Sequence, residues 1–290
     1  MRVLVLGATG MLGKDLVKVL RDRGHFVMAF GSKDLDITDE REVRETPALS
    51  KKNYEWIINC AGYTSVDKAE EEPELARDIN EEGVLNLAAR LSHGPRLLHF
   101  STDFVFDGKK GSPYHETDEI NPLGAYGRSK AEGERYAEAM TEDAIIFRTS
   151  WLYGANGKCF PKTMIAMHDA GKPIKVVNDQ VGCPTYTVDL AVAAAEAIEK
   201  HLPGAIYHAC GSEPMSWHTF AEMILSQWTG APVSVEGIST SQYPTAAERP
   251  PYSVLDTTKL TEAGISPWRD TPSCLDDFCQ RIRATVPALA

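Results

Sequence analysis

The chain has 290 residues, of which 43% are hydrophobic and 24% are charged. These proportions are typical of globular proteins, and they exclude a disordered, collagenous or coiled-coil chain. The formal net charge of −11 at pH 7 disfavours binding to the phosphates of nucleic acids. No run approaches the roughly 20 consecutive apolar residues that a membrane span needs, and the first residues carry no signal-peptide pattern. We therefore expect a cytoplasmic protein that binds neither nucleic acid nor membrane.

Apolar strands alternate with helix-period segments along the first 150 residues. The predicted strands are Arg2–Leu6, His25–Phe30, Trp56–Ala61, Arg96–Ser101 and Ala144–Ser150. The predicted helices run from Leu12 to a stop at Gly24, from Pro73 to Leu91 and from Tyr126 to Met140. Uninterrupted apolar strands that alternate with helices are typical of a parallel sheet covered on both faces. The sequence thus predicts an α/β fold with a Rossmann-type doubly wound parallel sheet.

After residue 150 the pattern becomes less regular. The predicted helices here are Pro161–Ala170, Thr187–Lys200, Trp217–Trp228 and Ser273–Thr285, and the predicted strands are Ile174–Val177 and Ala205–Cys210. We assign residues 1–150 to the doubly wound domain, with later segments returning to it. Residues 151–290 are assigned mainly to a smaller C-terminal α/β lobe.

A glycine-rich turn joins the first strand to the first helix. Gly7 permits the tight turn, Gly10 lets the backbone approach a pyrophosphate, and Gly13 lets the helix pack closely on the strand. The phosphates would lie on free amide groups at the helix N-terminus. A plain strand–helix turn is the alternative, but the position at the start of a βαβ unit favours a dinucleotide site in residues 1–150. The predicted contacts in this turn are Gly7, Thr9, Gly10, Met11, Leu12 and Gly13.

The loop after the second strand bears on which dinucleotide is bound. An acidic residue at the end of this strand would bind the adenosine ribose 2′-OH and select NAD. Here the strand is followed by Gly31, Ser32 and Lys33, and the carboxylates come later, at Asp34 and Asp36. A serine and a lysine favour a 2′-phosphate, so NADP(H) is preferred and NAD(H) remains an alternative. An ordinary solvated loop lysine is equally compatible with the pattern.

Tyr126 and Lys130 lie four residues apart at the head of a predicted helix. Positions i and i+4 share one helix face, so the Lys130 ammonium is expected to lower the pKa of Tyr126 from about 10. Such a tyrosine can donate a proton to a ketone oxygen as hydride arrives. By itself the pair also fits a surface tyrosine and lysine. A strand-end hydroxyl group just upstream, at Ser101-Thr102, favours the catalytic interpretation.

In three features and their order the chain resembles the short-chain dehydrogenase/reductase superfamily, particularly its extended branch, which acts on sugar nucleotides. The features are the Gly-x-x-Gly-x-x-Gly spacing, the strand-end threonine and the Tyr-x-x-x-Lys pair. This resemblance implies Thr102, Tyr126 and Lys130 as catalytic residues, with Lys130 also on the nicotinamide ribose. Asp36 and Ile37 would flank the adenine. The segment from Asn59 to Gly62 matches the part of the superfamily that lies beside the cofactor. The implied cofactor contacts beyond the glycine turn are Ser32, Asp36, Ile37, Cys60, Ala61, Gly62, Tyr63, Thr64, Tyr126 and Lys130.

Longer strings resemble the dTDP-4-dehydrorhamnose reductase family from Arg2 to about Ile282. They are Tyr63-Thr-Ser-Val-Asp-Lys-Ala-Glu70, Ser101-Thr-Asp-Phe-Val-Phe-Asp-Gly108, Arg148-Thr-Ser-Trp-Leu-Tyr-Gly154, Asp179-Gln-Val-Gly-Cys-Pro-Thr185 and Arg249-Pro-Pro-Tyr-Ser-Val-Leu-Asp256. The resemblance implies hydride transfer from NAD(P)H to the C4 ketone of dTDP-4-dehydro-L-rhamnose, with Tyr126 protonating the alkoxide and Thr102 hydrogen-bonding it.

The same resemblance suggests substrate contacts. Asp103 and Trp151 match positions that contact the sugar in this family. Arg249 is predicted to neutralise part of the substrate diphosphate, since its fork suits phosphate oxygens, and a surface salt bridge is the alternative. Phe104 stands where many members have tyrosine, which leaves room for a changed sugar preference.

Two other functions remain open. One is a reductase or epimerase of another nucleotide sugar. The other is a non-catalytic NADP-binding regulatory subunit resembling that of methionine adenosyltransferase, although the intact Thr102, Tyr126 and Lys130 favour an enzyme. The eight histidines and six cysteines form no metal-binding pattern, so no catalytic metal is predicted. A homodimer is expected only by analogy with related proteins.

Overall fold

The computed structural model describes residues 1–50, 52–141, 143–265 and 268–285. The last five residues of the predicted 151–290 lobe therefore lie outside the described residues. The strands are β1 (Arg2–Leu6), β2 (Phe26–Phe30), β3 (Trp56–Asn59), β4 (Arg96–Thr102), β5 (Ile145–Thr149), β6 (Leu152–Tyr153), β7 (Lys175–Val177), β8 (Val181–Gly182), β9 (Thr185–Tyr186), β10 (Ala205–His208), β11 (Met215–Ser216) and β12 (Glu236–Ile238). The helices are α1 (Met11–Asp22), α2 (Glu40–Glu45), α3 (Val66–Glu71), α4 (Pro73–Arg77), α5 (Gly83–Leu91), α6 (Ala125–Met140), α7 (Phe160–Asp169), α8 (Thr187–Glu199), α9 (Trp217–Thr229), α10 (Thr258–Glu262) and α11 (Thr271–Thr285).

Six parallel strands form the central sheet, in the order β10-β5-β4-β3-β1-β2. Side chains alternate between its two faces, so both faces must be apolar if both are covered. In β1, Val3 and Val5 join the core beneath α1 and α8, whereas Leu4 and Leu6 join the core beneath α2, α5 and α6. Helices therefore cover both faces, and the predicted α/β class with a parallel sheet is confirmed.

Some elements after residue 150 join the central sheet and its covering helices, and others form a separate core. Strand β10 pairs with β5 at the sheet edge, and α8 packs in the core next to α1. A separate core lies between α7, α9 and α11, where Tyr153 stacks on Tyr186 with ring centroids 5.3 Å apart and Phe220 and Phe278 are fully buried. The boundary at residue 150 between a cofactor domain and a substrate lobe stays a prediction.

The predicted elements agree with the structure to within about two residues at most ends. The predicted helix Pro73–Leu91 is helical throughout, but a π turn at Asp78–Glu82 separates α4 from α5. The short helices α2, α3 and α10 and the two-residue strands were not predicted. Within the described ranges, no helix is long and apolar enough to cross a membrane.

Candidate active site

The carboxyl ends of the central strands bring the predicted site residues to one edge of the sheet. The glycine turn follows β1, Ser32 follows β2, and Cys60 follows β3. Thr102 ends β4 and lies in register with Thr149, the last residue of β5. In open parallel sheets, ligands bind outside this edge, so the arrangement favours one shared site.

The glycine turn has the geometry that a dinucleotide requires. Gly7 adopts a left-handed conformation with φ of +67°, and a Cβ there would lie 2.5 Å from the amide nitrogen of Ala61. A Cβ on Gly13 would lie 2.3 Å from the carbonyl oxygen of Gly7. Gly10 is the N-cap of α1 and has no side chain to occupy the first amide groups. The turn thus fits a pyrophosphate at this helix N-terminus.

The loop after β2 presents polar side chains to solvent. Ser32, Lys33 and Asp36 are exposed, and Asp36 accepts hydrogen bonds from the backbone and hydroxyl of Thr38 at 2.9 and 2.8 Å. Ile37, in contrast, is only 5% exposed and belongs to the core beneath α5. The predicted adenine contacts of Asp36 and Ile37 stay a prediction.

The segment after β3 is held in place by a residue that the sequence analysis missed. Asn80, in the π turn, accepts from the Tyr63 amide at 2.9 Å and donates to the Tyr63 carbonyl at 3.0 Å. It also donates to Ser129 of α6 at 3.1 Å. Asn80 is 1% exposed, and π turns are frequent at functional sites. It ties residues 60–64 to the helix that carries Tyr126.

Close backbone approach places α6 against the end of β4. A Cβ on Gly127 would lie 2.3 Å from the carbonyl oxygen of Phe104, so only glycine allows this packing. Glu70 accepts a hydrogen bond from the Ala125 amide at 2.7 Å, which satisfies a free donor at the helix start. The Phe104 ring meets the Tyr126 ring edge to face at 5.7 Å. These contacts bring Tyr126 next to the strand-end Thr102.

Lys130 lies on the same helix, one turn after Tyr126, and is buried. Its amino group donates to the carbonyl oxygen of Phe100 at 2.5 Å and lies 3.3 Å from Nε2 of His99. Burial lowers the pKa of Lys130 to about 8, although Glu134 opposes the shift. The amino group is thus directed into the polar interior behind β4.

The expectation that Lys130 lowers the pKa of Tyr126 is wrong for the chain without cofactor. Burial raises the pKa of Tyr126 to about 12, and the nearby Asp103 carboxylate adds to the rise, while the nearby Thr102 hydroxyl group opposes it. Desolvation disfavours the charged phenolate, and this outweighs any attraction to the lysine. Tyr126 is therefore held as a neutral phenol, which is the proton-donating form.

Asp103 follows Thr102 and is 2% exposed. Thr102 donates to its Oδ1 at 3.1 Å, while Oδ2 has no hydrogen-bonding partner in the part of the chain that the structure describes. Burial raises the pKa of Asp103 to about 6, and the nearby hydroxyl groups of Thr102 and Ser253 limit the rise, although Ser253 makes no hydrogen bond of normal geometry to Oδ2. The arrangement leaves one carboxylate oxygen available to a ligand.

Trp151 is held in an unusual conformation just after β5. Its φ of +46° is rare for a residue with a side chain, and such strain tends to persist at functional sites. Its ring stacks on Trp217 at a centroid distance of 3.5 Å with an interplanar angle of 5°. A Cβ on Gly182 would lie 2.5 Å from the indole, so only glycine allows the indole to pack there. Trp217 is a second residue that the sequence analysis missed.

Arg249 forms the salt bridge that the sequence analysis left open as an alternative. Its guanidinium binds both carboxylate oxygens of Asp67, at 3.0 and 2.7 Å, and lowers the pKa of that carboxyl group. Asp67 lies in α3, close in sequence to Tyr63 and Thr64. A role of Arg249 toward a substrate diphosphate stays a prediction.

Carboxylates near the site are engaged with protein groups. Glu70 binds the Ala125 amide, and Glu72 accepts from the Tyr63 hydroxyl at 2.8 Å. Across the described ranges, no three His, Cys, Asp or Glu residues group closely enough to hold a metal ion. The expectation of a metal-free reaction stays a prediction.

The glycine turn, the strand-end threonine and the Tyr126–Lys130 pair form an arrangement typical of nicotinamide-dependent reductases with a Rossmann-type fold. The family model described as RmlD substrate binding domain matches residues 1–283. The dTDP-4-dehydrorhamnose reductase of Aggregatibacter actinomycetemcomitans is 43% identical over 279 residues, covering 92% of this chain and 94% of that protein. The chain therefore belongs to the dTDP-4-dehydrorhamnose reductase family, and the resemblance inferred from the sequence is confirmed.

Solved structures agree with this assignment. A dTDP-4-dehydrorhamnose reductase from Clostridium acetobutylicum is similar with a TM-score of 0.91 and 38% identity, covering 98% of this chain and 100% of that chain. The reductase from Bacillus anthracis, solved in complex with NADP, is similar with a TM-score of 0.89 and 36% identity, covering 96% and 98%. The fold of this chain is thus that of the family over almost its whole length.

Proposed function

We propose that this protein reduces the C4 ketone of dTDP-4-dehydro-L-rhamnose to give dTDP-L-rhamnose, with NADPH as the preferred reductant. The observation that carries the proposal is the position of the Tyr126 phenol beside Thr102, at the sheet edge where the glycine turn also lies. The names of the relatives in the family supply the substrate class.

Tyr126 supplies the proton in this proposal. A ketone that receives hydride at carbon develops an alkoxide, and the alkoxide becomes an alcohol when it takes the phenolic proton of Tyr126. A pKa of about 12 keeps the phenol protonated throughout the neutral range. The resulting phenolate must regain a proton before the next turnover.

Three further side chains would bind the sugar. The Thr102 hydroxyl donates to Asp103 in the structure and would instead donate to the substrate oxygen. The free Oδ2 of Asp103 would accept from a sugar hydroxyl. The Trp151 indole, fixed by Trp217, would cover an apolar face of the sugar.

The cofactor site is assigned to the glycine turn, to the loop after β2 and to residues 60–64. A reduced nicotinamide would supply the hydride. Within the loop after β2, the exposed Ser32 and Lys33 favour the 2′-phosphate of NADP(H) over NAD(H), and a family member has been solved with NADP. We also infer a cytoplasmic location, and a homodimer remains an expectation from related proteins.

The test is turnover by the purified protein with dTDP-4-dehydro-L-rhamnose generated enzymatically in place. NADPH oxidation should exceed NADH oxidation, and Tyr126→Phe should lower kcat by about 10²–10⁴-fold. Tyr136→Phe removes the same hydroxyl group from the same helix and should leave kcat unchanged. A wild-type protein that binds NADPH yet oxidises none of it would rule out the reductase and direct the search to other nucleotide sugars or to a regulatory partner.

A further inference from the structure

His99 is a buried titratable group that the proposed reaction does not use. It lies in β4, three residues before Thr102, and is 0% exposed. Its Nδ1 lies 3.2 Å from Nδ2 of Asn59, and its Nε2 lies 3.3 Å from Nζ of Lys130. The ring therefore connects the end of β3 to a catalytic side chain of α6.

The orientation of the Asn59 amide decides which ring nitrogen carries the proton. Oδ1 of Asn59 accepts from the Ala61 amide at 3.0 Å, and a reversed side chain would set its NH₂ group against that N–H. The NH₂ group consequently faces Nδ1 of His99, which must accept. A neutral imidazole has one donor and one acceptor nitrogen, and burial beside Lys130 keeps the pKa of His99 well below its usual value. The proton is thus on Nε2.

We propose that His99 is a positioning residue for Lys130, and that its Nε2–H group, oriented by Asn59, favours the neutral amine of that lysine. An ammonium group has three donors and no acceptor, so only the neutral amine can accept from Nε2–H. The amine retains a donor for the carbonyl oxygen of Phe100. The inference rests on the proposed function, in which α6 carries Tyr126 on the same helix face as Lys130.

The other groups that face Lys130 do not set this preference. Glu134 of α6 would favour the ammonium, but it is engaged by Arg148 through hydrogen bonds of 2.9 and 2.7 Å. Cys60, at the end of β3, has a thiol whose pKa is raised by burial, so it stays neutral. Tyr126 is likewise neutral. The Nε2–H group of His99, in contrast, can bind the neutral amine of Lys130 and opposes its ammonium form.

Burial lowers the pKa of Lys130 to about 8, and the Nε2–H group of His99 acts in the same direction because it favours the neutral amine. An amino group with such a pKa can accept and release a proton at similar cost near neutral pH. The chain of hydrogen bonds ends at the Ala61 amide. His99 therefore sets the state of Lys130 and does not conduct protons to solvent.

Nitrogen NMR of the cofactor-free protein labelled with ¹⁵N-histidine tests the tautomer directly. His99 is assigned by comparison with His99→Gln. The expected result is a neutral ring with Nε2 protonated, unchanged between about pH 6 and pH 9. A protonated Nδ1, or a ring that titrates in this range, would overturn the inference.

A second measurement follows Lys130 by ¹³C-lysine titration. Asn59→Asp supplies a carboxylate that accepts from Nδ1–H, so Nε2 becomes an acceptor and the pKa of Lys130 should rise by about one pH unit or more. Asn53→Asp adds the same charge before the start of β3 and should leave the pKa unchanged. In the Asn59→Asp/His99→Phe protein the rise should shrink, because the ring no longer transmits the change. An equal rise with and without the ring would refute a role for His99.

Both measurements need neither substrate nor turnover. A protein that fails to reduce the proposed sugar but shows the expected tautomer would refute the proposed function alone. An active reductase with the opposite tautomer would refute the role of His99 alone. The pH dependence of kcat/KM in active protein adds a further readout, since its alkaline limb should move upward in Asn59→Asp.

Discussion

Replacing Asp103 by asparagine should make the protein more stable at neutral pH and less active. The carboxyl group is 2% exposed, and Oδ2 lacks a partner among the described residues. A buried carboxylate with an unpaired oxygen is costly to keep charged. Asparagine has nearly the same shape and no charge, so it removes this cost together with the acceptor proposed for the sugar hydroxyl.

The size of the effect follows from the pKa of Asp103, which rises from an ordinary 3.8 to about 6 in the folded protein. A difference of about two in pKa corresponds to about 3 kcal/mol of unfolding free energy. Below about pH 4 the group is protonated in both states, and the cost is absent. The cost grows as the pH rises through 6 and is then constant, so the stabilisation by asparagine should appear over this window.

Urea unfolding of the wild type and Asp103→Asn at several pH values between about 4 and 8 measures this difference. Asp107→Asn is the matched control, and its change in stability should be in the opposite direction, because a hydrogen bond from the Lys109 amide lowers the pKa of Asp107. That variant should lose stability at neutral pH. A stability difference for Asp103→Asn that is the same at every pH would show that the carboxyl group does not titrate as argued.

Two further variants test the glycine turn and the ion pair behind the site. Gly13→Ala should abolish cofactor binding in calorimetry, because its Cβ would lie 2.3 Å from a backbone carbonyl oxygen. Gly94→Ala is the control, since its Cβ would make ordinary contacts and the protein should bind the cofactor normally. Tight binding by Gly13→Ala would disprove the close approach of α1 to the glycine turn. Glu134→Gln leaves the Arg148 guanidinium buried and unpaired, so unfolding in urea should show a loss of about 3–5 kcal/mol. Glu132→Gln alters a side chain that is 45% exposed in its pair with Arg135, so it should change stability little. Equal losses in both variants would contradict the argument.

Much of the fold could be predicted from local patterns. Continuous apolar runs identify the buried strands, because a parallel sheet covered on both faces needs apolar side chains at every position. Glycine spacing identifies the turn after β1, where two close contacts exclude a side chain at Gly7 and Gly13. The short strands β8 and β11 could not be predicted, since each has two residues and exists only through its partner.

The supporting residues of the site were missed for a different reason. Asn80 and His99 each occur inside a regular element and carry no local signal of function. Their partners Ser129 and Lys130 lie 49 and 31 residues away, so the pairs exist only once α6 is packed against β4. Trp217 is similar, because its stack on Trp151 joins the start of α9 to the end of β5.

Helical spacing also could not predict the protonation state of Tyr126. An i, i+4 pair predicts that two side chains share a face, but the solvent around them depends on the whole fold. Here Gly127 and Phe104 bring the helix against the strand end, and Tyr126 becomes partly buried. Desolvation then dominates the pKa, in the direction opposite to that expected from the lysine alone.

The raised pKa of Tyr126 bears on the choice between a reductase and an epimerase. A reductase needs the phenol as proton donor, and this form dominates up to a pH of about 12. An enzyme that begins by oxidising an alcohol needs the phenolate as base, and burial disfavours this form unless a nearby positive charge offsets the cost. Lys130 is directed toward Phe100 and His99 and does not supply that charge in the cofactor-free chain. Burial of Tyr126 therefore favours ketone reduction, in which the phenol donates a proton, over alcohol oxidation, in which the phenolate must accept one.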